Sequence, residues 1–224
     1  MTAIPNGLFG VIARKNAGGG APSTTSLLAY YDFYDATDSQ ASFTLTEVNT
    51  PTYLSGYGIS TDATDDLWTQ STIDSSWGNT DADFSGVIRF RGYGSIANGN
   101  YVFAINANRN YLRWITGANG LTMEVADNVL LSTIVPSTGV WYVIYFEWNS
   151  STGESKMIVN STSVTPVSGV GSFTAGDLVL GGQNSTTGSD VEISYFALYN
   201  RNLDQSEYEW FTENPSIDRK RADM

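Results

Sequence analysis

One segment limits the fold more than any other. Val140-Trp141-Tyr142-Val143-Ile144-Tyr145-Phe146-Glu147-Trp148 holds one charged residue among β-branched and aromatic ones. Such residues suit a pleated, packed surface better than a helix. Both alternating faces are mostly apolar, so the strand needs cover on both sides and is expected near the centre of a sheet. Further β-former segments recur between turns of Gly, Asn and Ser: 27–34, 83–91, 101–106, 111–116, 121–125, 155–160, 177–182 and 191–199. The three within 101–125 have the spacing of a β-meander. Within 83–91, Val87, Arg89 and Arg91 fall on one face and Ile88 and Phe90 on the other. Residues 35–83 read as two or three short strands with long loops. One helix is expected, with Asp204 as N-cap, Glu207 as its capping-box partner, Leu203 and Tyr208 as a staple, and Asn214-Pro215 as the stop.

The expectation is an all-β chain: an antiparallel two-sheet β-sandwich with one short C-terminal helix and an extended N-terminal arm. The sandwich takes 27–214 and a tail 215–224. The arm, 1–26, places Leu8, Phe9, Val11 and Ile12 ahead of the flexible run Ala17-Gly18-Gly19-Gly20-Ala21-Pro22. Apolar residues before a linker suggest an anchor seated in another chain. The competing reading is a strand packed on its own domain.

The net charge of −12 repels phosphate backbones, so nucleic acid is not an expected partner. Arg14-Lys15 and Arg219-Lys220-Arg221 are basic islands in the terminal segments, either docking points for an acidic neighbour or solvated tails. The chain has no Cys and no His, which removes disulfides, the commonest general base and the commonest metal ligand. No apolar run reaches the roughly 18 residues a membrane span needs, and no signal peptide is expected. Asn149, Asn160 and Asn184 open Asn-X-Ser/Thr sequons, read as loop composition.

Three pieces of the last third form a recognisable series: Gly139-Val140-Trp141-Tyr142, then Leu178-Val179-Leu180-Gly181-Gly182, then the run Tyr199-Asn200-Arg201-Asn202-Leu203-Asp204-Gln205-Ser206-Glu207. With the opening Leu28-Ala29-Tyr30-Tyr31-Asp32-Phe33, it resembles the concanavalin A-like lectin/glucanase superfamily, in its laminin-G and pentraxin-like jelly-roll form. The resemblance spans roughly 27–213 and is weakest over 35–83. It implies a jelly roll with the Trp141 run supplying core aromatic area. Glucanases of this superfamily use closely spaced carboxylates on one strand, whereas this chain offers only Asp190-Val191-Glu192 and Glu207-Tyr208-Glu209. Enzyme activity is therefore not expected.

Sugar recognition calls for aromatic platforms beside planar polar groups. The candidates are Arg89, Arg91, Tyr93, Tyr111, Arg113 and Trp114, which would form one arginine-rich face if their strands are neighbours. That face would take an acidic glycan or the acidic side chains of a neighbouring subunit, or it is simply solvated. No cofactor is implied by composition. The resemblance implies calcium, for which Asp32, Asp35 and Asp38 are the candidate ligands, with Asp62, Asp65, Asp66, Asp81 and Asp83 as further acidic clusters; solvated acidic loops are the alternative. Trp68 and Trp77 lie in loop-like sequence. An apolar arm, a linker and a lectin-like sandwich together resemble bacteriophage virion proteins. The functional expectation is a non-enzymatic virion surface protein, a capsid decoration protein or a fibre or tail adhesin, held to other virion proteins by its arm. Homo-oligomer formation and host-surface glycan binding are expected with it. The alternatives are a free carbohydrate-binding module and, behind it, a glycoside hydrolase.

Overall fold

A computed structural model describes residues 23, 26–31, 33, 45–48, 51–54, 58–61, 67–70, 82–92, 100–105, 110–114, 120–169, 176–184 and 187–213. In chain order the elements are β1 (Leu27–Tyr31), β2 (Thr46–Val48), β3 (Thr52–Leu54), β4 (Gly58–Thr61), β5 (Leu67–Gln70), β6 (Phe84–Gly92), β7 (Asn100–Ile105), β8 (Asn110–Trp114) and β9 (Leu121–Val125). There follow β10 (Asn128–Leu131), β11 (Tyr142–Asn149), β12 (Glu154–Val159), β13 (Thr162–Ser163), β14 (Val167–Ser168), β15 (Leu178–Leu180), β16 (Gly182–Asn184), β17 (Thr187–Gly188), β18 (Val191–Tyr199) and one helix, α1 (Gln205–Glu213). All pairings are antiparallel. A nine-stranded sheet runs β13-β12-β11-β6-β18-β4-β3, with β1 also on β18 and β14 on β12. A seven-stranded sheet runs β10-β9-β8-β7-β15-β5-β2, and β16 and β17 form a small ribbon. This is the expected all-β two-sheet sandwich. Segment 35–83 carries four short strands among its described residues, more than the two or three expected.

The Trp141 run becomes β11, which lies between β6 and β12 as its double apolar face requires. Tyr142, Ile144, Phe146 and Trp148 turn into the space between the sheets, while Val143 and Tyr145 turn outward under α1. The inter-sheet core is aromatic at its centre. The Phe103 ring from β7 stacks on Phe146 at 5.2 Å and meets Phe196 edge-on at 5.5 Å. Gly86 of β6 stands opposite Phe146, where an added Cβ would come within 2.3 Å of the ring, so glycine lets the ring lie flat over the backbone.

A second apolar cluster lies on the outer face of the nine-stranded sheet. Tyr30, Val87, Val143, Tyr145, Tyr195 and Tyr199 are covered there by Leu203, Trp210 and Phe211. The helix is fixed by the expected capping box: Glu207 N–H donates to Asp204 Oδ1 at 3.0 Å, and Asp204 N–H donates to Glu207 Oε2 at 3.1 Å. Glu207 also accepts both terminal nitrogens of Arg201 at 2.6 Å each, and the N–H of Ser23 at 3.2 Å. The Arg201 guanidinium holds the Glu207 carboxyl below its ordinary range, and hydrogen bonds from Ser206 and the Glu207 N–H do the same for Asp204. The Tyr199–Glu207 sequence signature is thus a clamp that ties the helix, the end of the last strand and Ser23 together.

Two tight hairpins lack the glycine that such turns usually carry. Ala126 and Asp127, joining β9 to β10, have φ of 48° and 65°; Asn160 and Ser161, joining β12 to β13, have φ of 52° and 91°. Positive φ at both central residues is the type I′ arrangement, whose twist matches the flanking strands.

Candidate functional site

The sandwich has two outer faces, and they differ in kind. Over much of its area the outer face of the nine-stranded sheet is closed by α1. Beyond the helix it carries Arg89 and Arg91 of β6, Glu192 and Ser194 of β18, and Trp141. Both guanidiniums lie over the indole, at 4.3 Å for Arg89 and 4.7 Å for Arg91. The Arg91 Nε is paired with the Glu192 carboxylate. Arg89 is buried and its Nη1 donates to Ser194 Oγ at 3.1 Å. A bulge between Ile193 and Tyr195 supplies that serine: Ile193 stays in the inter-sheet core, Tyr195 enters the outer cluster, and the extra residue meets Arg89. Trp141 therefore belongs to this outer cluster. The run that follows it supplies the inter-sheet core as expected, through Tyr142, Phe146 and Trp148.

On the seven-stranded sheet the outer face is apolar and buried at Ala104 and Val179, and it turns polar toward β8 and β9. Leu121, Met123 and Val125 of β9 turn into the core, so Thr122 and Glu124 turn outward. Leu112 of β8 turns inward, so Arg113 turns outward and stands opposite Thr122. Thr122 is fully buried even so, and among the described residues its Oγ1 has no hydrogen-bond partner. On its other side Thr122 faces Leu131 of β10, and Glu124 faces Val129. Those two aliphatics are 55% and 45% exposed, which makes an apolar rim beside a polar centre.

Of the six residues singled out for binding, the five described ones are divided between the two sheets. Arg89 and Arg91 come together around Trp141. Arg113 lies in the opposite sheet, where Tyr111 stands in register between Ala104 and Glu124, and Trp114 between Asn100 and Leu121. Tyr93 lies outside the described residues. Strands β6 and β8 are not neighbours, so no single arginine-rich face forms. The sequence reading passed over Thr122, Glu124 and the Val129–Leu131 rim, although the alternation Leu121-Thr122-Met123-Glu124-Val125 already separated an inward from an outward set.

The candidate calcium ligands Asp32, Asp35 and Asp38, together with Asp62, Asp65, Asp66 and Asp81, lie outside the described residues, as do Trp77 and the arm residues Leu8, Phe9, Val11 and Ile12. Asp83 is described, and its carboxylate accepts the N–H and hydroxyl of Ser150, both at 2.8 Å. Among the described residues no group of three or more acidic side chains could hold a metal ion, and no helix is long and apolar enough to cross a membrane.

No family model matches the chain, and no curated protein matches it. Solved structures do. Trypanosoma rangeli sialidase in complex with sialic acid superposes with a TM-score of 0.72 at 12% identity, over 90% of this chain and 35% of that one. Domain 4 of AbnA, a GH43 extracellular arabinanase from Geobacillus stearothermophilus, in complex with arabinotriose, superposes with a TM-score of 0.63 at 15% identity, over 82% of this chain and 96% of that one. A structure of botulinum neurotoxin type C, whose cell entry depends on interaction with two ganglioside molecules, gives 0.64 at 10% identity, over 85% of this chain and 51% of that one. Identities this low fix the fold alone, and the chain spans only 35% of the sialidase length.

These likenesses correct the expectation of a chain set apart from enzymes. The same sandwich recurs within sialidases and within a GH43 arabinanase. That expectation rested on finding only two closely spaced carboxylate pairs, Asp190-Val191-Glu192 and Glu207-Tyr208-Glu209, whereas the two carboxylates of a glycosidase need only meet in space and can come from separate strands.

Proposed function

We propose that the sandwich is a carbohydrate-binding domain whose ligand lies on the outer face of the seven-stranded sheet. The observation that carries the reading is the near-complete coverage of the arabinanase domain, a unit of 96% matched length solved with an oligosaccharide in place. The location follows from the two faces. Helix α1 closes much of one, whereas the other offers Arg113 and Glu124 as polar partners and Val129 and Leu131 as an apolar rim, the mixture that sugar rings with their polar edges and C–H faces require. Tyr111, which stands in register with Glu124, belongs to the same proposed site.

The test is a glycan array spanning arabinan oligosaccharides, sialylated glycans and gangliosides, followed by calorimetry on the best ligand. Arg113→Ala is expected to weaken binding about 10-fold or more, the scale of a lost charge-assisted hydrogen bond. Arg89→Ala, on the opposite face, is expected to leave affinity unchanged. An array with no retained glycan rejects the reading.

We extend the proposal to display on a bacteriophage particle, with Leu8, Phe9, Val11 and Ile12 seated in the capsid or tail lattice. Deleting residues 1–20 is then expected to leave a folded domain that no longer assembles on particles. Full retention of the shortened chain on particles rejects this placement.

A further inference from the structure

The seven-stranded sheet ends, among the described residues, at β10, and this edge carries neither charge nor proline along its strand. Sheet edges are often blunted by such residues, because their open backbone templates another strand. From Asn128 to Val135 there is no charged side chain. The run alternates strictly: Leu130 and Ser132 are buried, while Val129, Leu131 and Val135 are 45%, 55% and 53% exposed. Those are three of the four large hydrophobic side chains that stand out as exposed among the described residues.

The backbone is equally specific. In a hairpin with a two-residue loop, the residues flanking the loop are hydrogen-bonded to each other and the parity then alternates along the ladder. Val125 and Asn128 flank the Ala126–Asp127 loop, so Asn128, Leu130 and Ser132 direct their backbone groups at β9. The Ser132 N–H donates to the Leu121 carbonyl at 2.9 Å, as that parity demands. Val129 and Leu131 therefore point N–H and C=O away from the sheet, each beside an exposed aliphatic side chain. This is the chemistry that accepts a β-strand.

We propose that the strand it accepts is β10 of a second copy of this chain, paired antiparallel about a two-fold axis at Leu130. A two-fold interface must complement itself, residue i meeting j and j meeting i. Here Val129 faces Leu131 of the partner subunit, and Leu131 faces Val129 of the partner subunit. Both members of each pair have outward backbone groups, so the two residues exchange N–H···O bonds, and both carry exposed apolar side chains that meet across the strands. The electrostatics also select this edge. At a net charge of −12 two copies repel each other over most of their surface. In this register Asp127 comes opposite Thr133 of the partner subunit, so no carboxylate of β10 or its turn faces another. A contact built on one short strand sits at the small end of protein interfaces, so the dimer dissociates on dilution. Pairing would join the two seven-stranded sheets into one continuous surface. If that face binds glycan as proposed above, two sites would be presented side by side, but the dimer itself does not depend on that reading.

Sedimentation velocity on the full chain over a dilution series tests the proposal. The expected result is a species of two-chain mass that gives way to single chains on dilution. Leu131→Lys, a change at a solvent-exposed side chain, is expected to abolish that species while leaving the far-ultraviolet circular dichroism unchanged. A Val129→Cys, Leu131→Cys double variant is expected to form a disulfide-linked dimer under mild oxidation, and either single variant is not, because position 129 meets 131 rather than itself. A single-chain mass at every concentration overturns the proposal. So does a dimer that survives Leu131→Lys, and so does a dimer lost on deleting residues 1–20, which would make the arm the occupant of this edge.

Discussion

Above about pH 10, the ordinary range of tyrosine ionisation, the sandwich is expected to lose stability steeply. Tyr145 and Tyr199 are both buried in the outer cluster beneath α1. Burial pushes the phenol of each well above its ordinary value. At Tyr145 the Glu147 carboxylate adds to the effect, since the hydroxyl donates to it and also faces the Leu203 carbonyl at 3.2 Å. A phenolate there would be desolvated beside a carboxylate. The sign follows from linkage: the folded state keeps a proton that the unfolded state releases, so the stabilisation is complete below about pH 10 and falls as pH rises. Each tyrosine contributes about 1.4 kcal/mol per pH unit in that window. Two of them together remove on the order of 5 kcal/mol by about pH 12, against a total stability of roughly 5–15 kcal/mol for an ordinary domain. Urea midpoints from pH 7 upward, with tyrosinate absorbance followed in the same samples, check this. The midpoint is expected to hold steady to about pH 10 and then drop, with tyrosinate appearing in step with unfolding. Tyr145→Phe is expected to lower stability at neutral pH, through the lost hydrogen bonds, yet to halve the alkaline slope. A midpoint flat through pH 12 would show that these phenols are not held as the packing under α1 requires.

How far the fold could be read in advance follows from what alternation can and cannot say. Strands β9 and β18 were legible to the residue, Leu121–Val125 and Val191–Tyr199, because polar and apolar positions or β-former runs end abruptly at turn residues. The helix start at Asp204 was legible because capping chemistry is local: a carboxylate at the N-cap and another three residues on suffice to specify it. Strand β10 was missed. Val129-Leu130-Leu131 is apolar on both faces, so it has no period, and its turn uses Ala126-Asp127 where Asn-Gly would have announced a hairpin. The candidate site fared less well for a different reason. Alternation correctly put Arg89 and Arg91 on one side of β6 and Arg113 on the outer side of β8. It carries no information about which of two sheets a strand joins. Between β6 and β7 the chain passes from one sheet to the other, and that crossing separates the arginines onto opposite faces of the sandwich.

Replacing Phe103 by alanine is expected to cost about 3–5 kcal/mol, enough to unfold a substantial fraction of a marginal domain. Phe103 reaches from β7 across the inter-sheet space and is fully buried. Its contacts with Phe146 on β11 and Phe196 on β18 tie the seven-stranded sheet to the two central strands of the other. Truncation removes the transfer free energy of a whole ring and leaves a cavity lined by two aromatics that strands on either side hold in place. Collapse is hindered there because Phe146 lies flat over Gly86 and cannot follow the vacated space without leaving that contact. The partial relaxation that softens many core truncations is therefore denied, which places the expected loss in the upper part of the range. Val140→Ala provides the comparison: that side chain is 46% exposed, and its removal is expected to move stability by no more than about 0.5 kcal/mol. Equilibrium urea unfolding of both variants measures the difference. A Phe103 variant as stable as the Val140 one would mean that the two sheets are not held together through this aromatic centre, and neither outer face would then have the rigid backing that a binding surface needs.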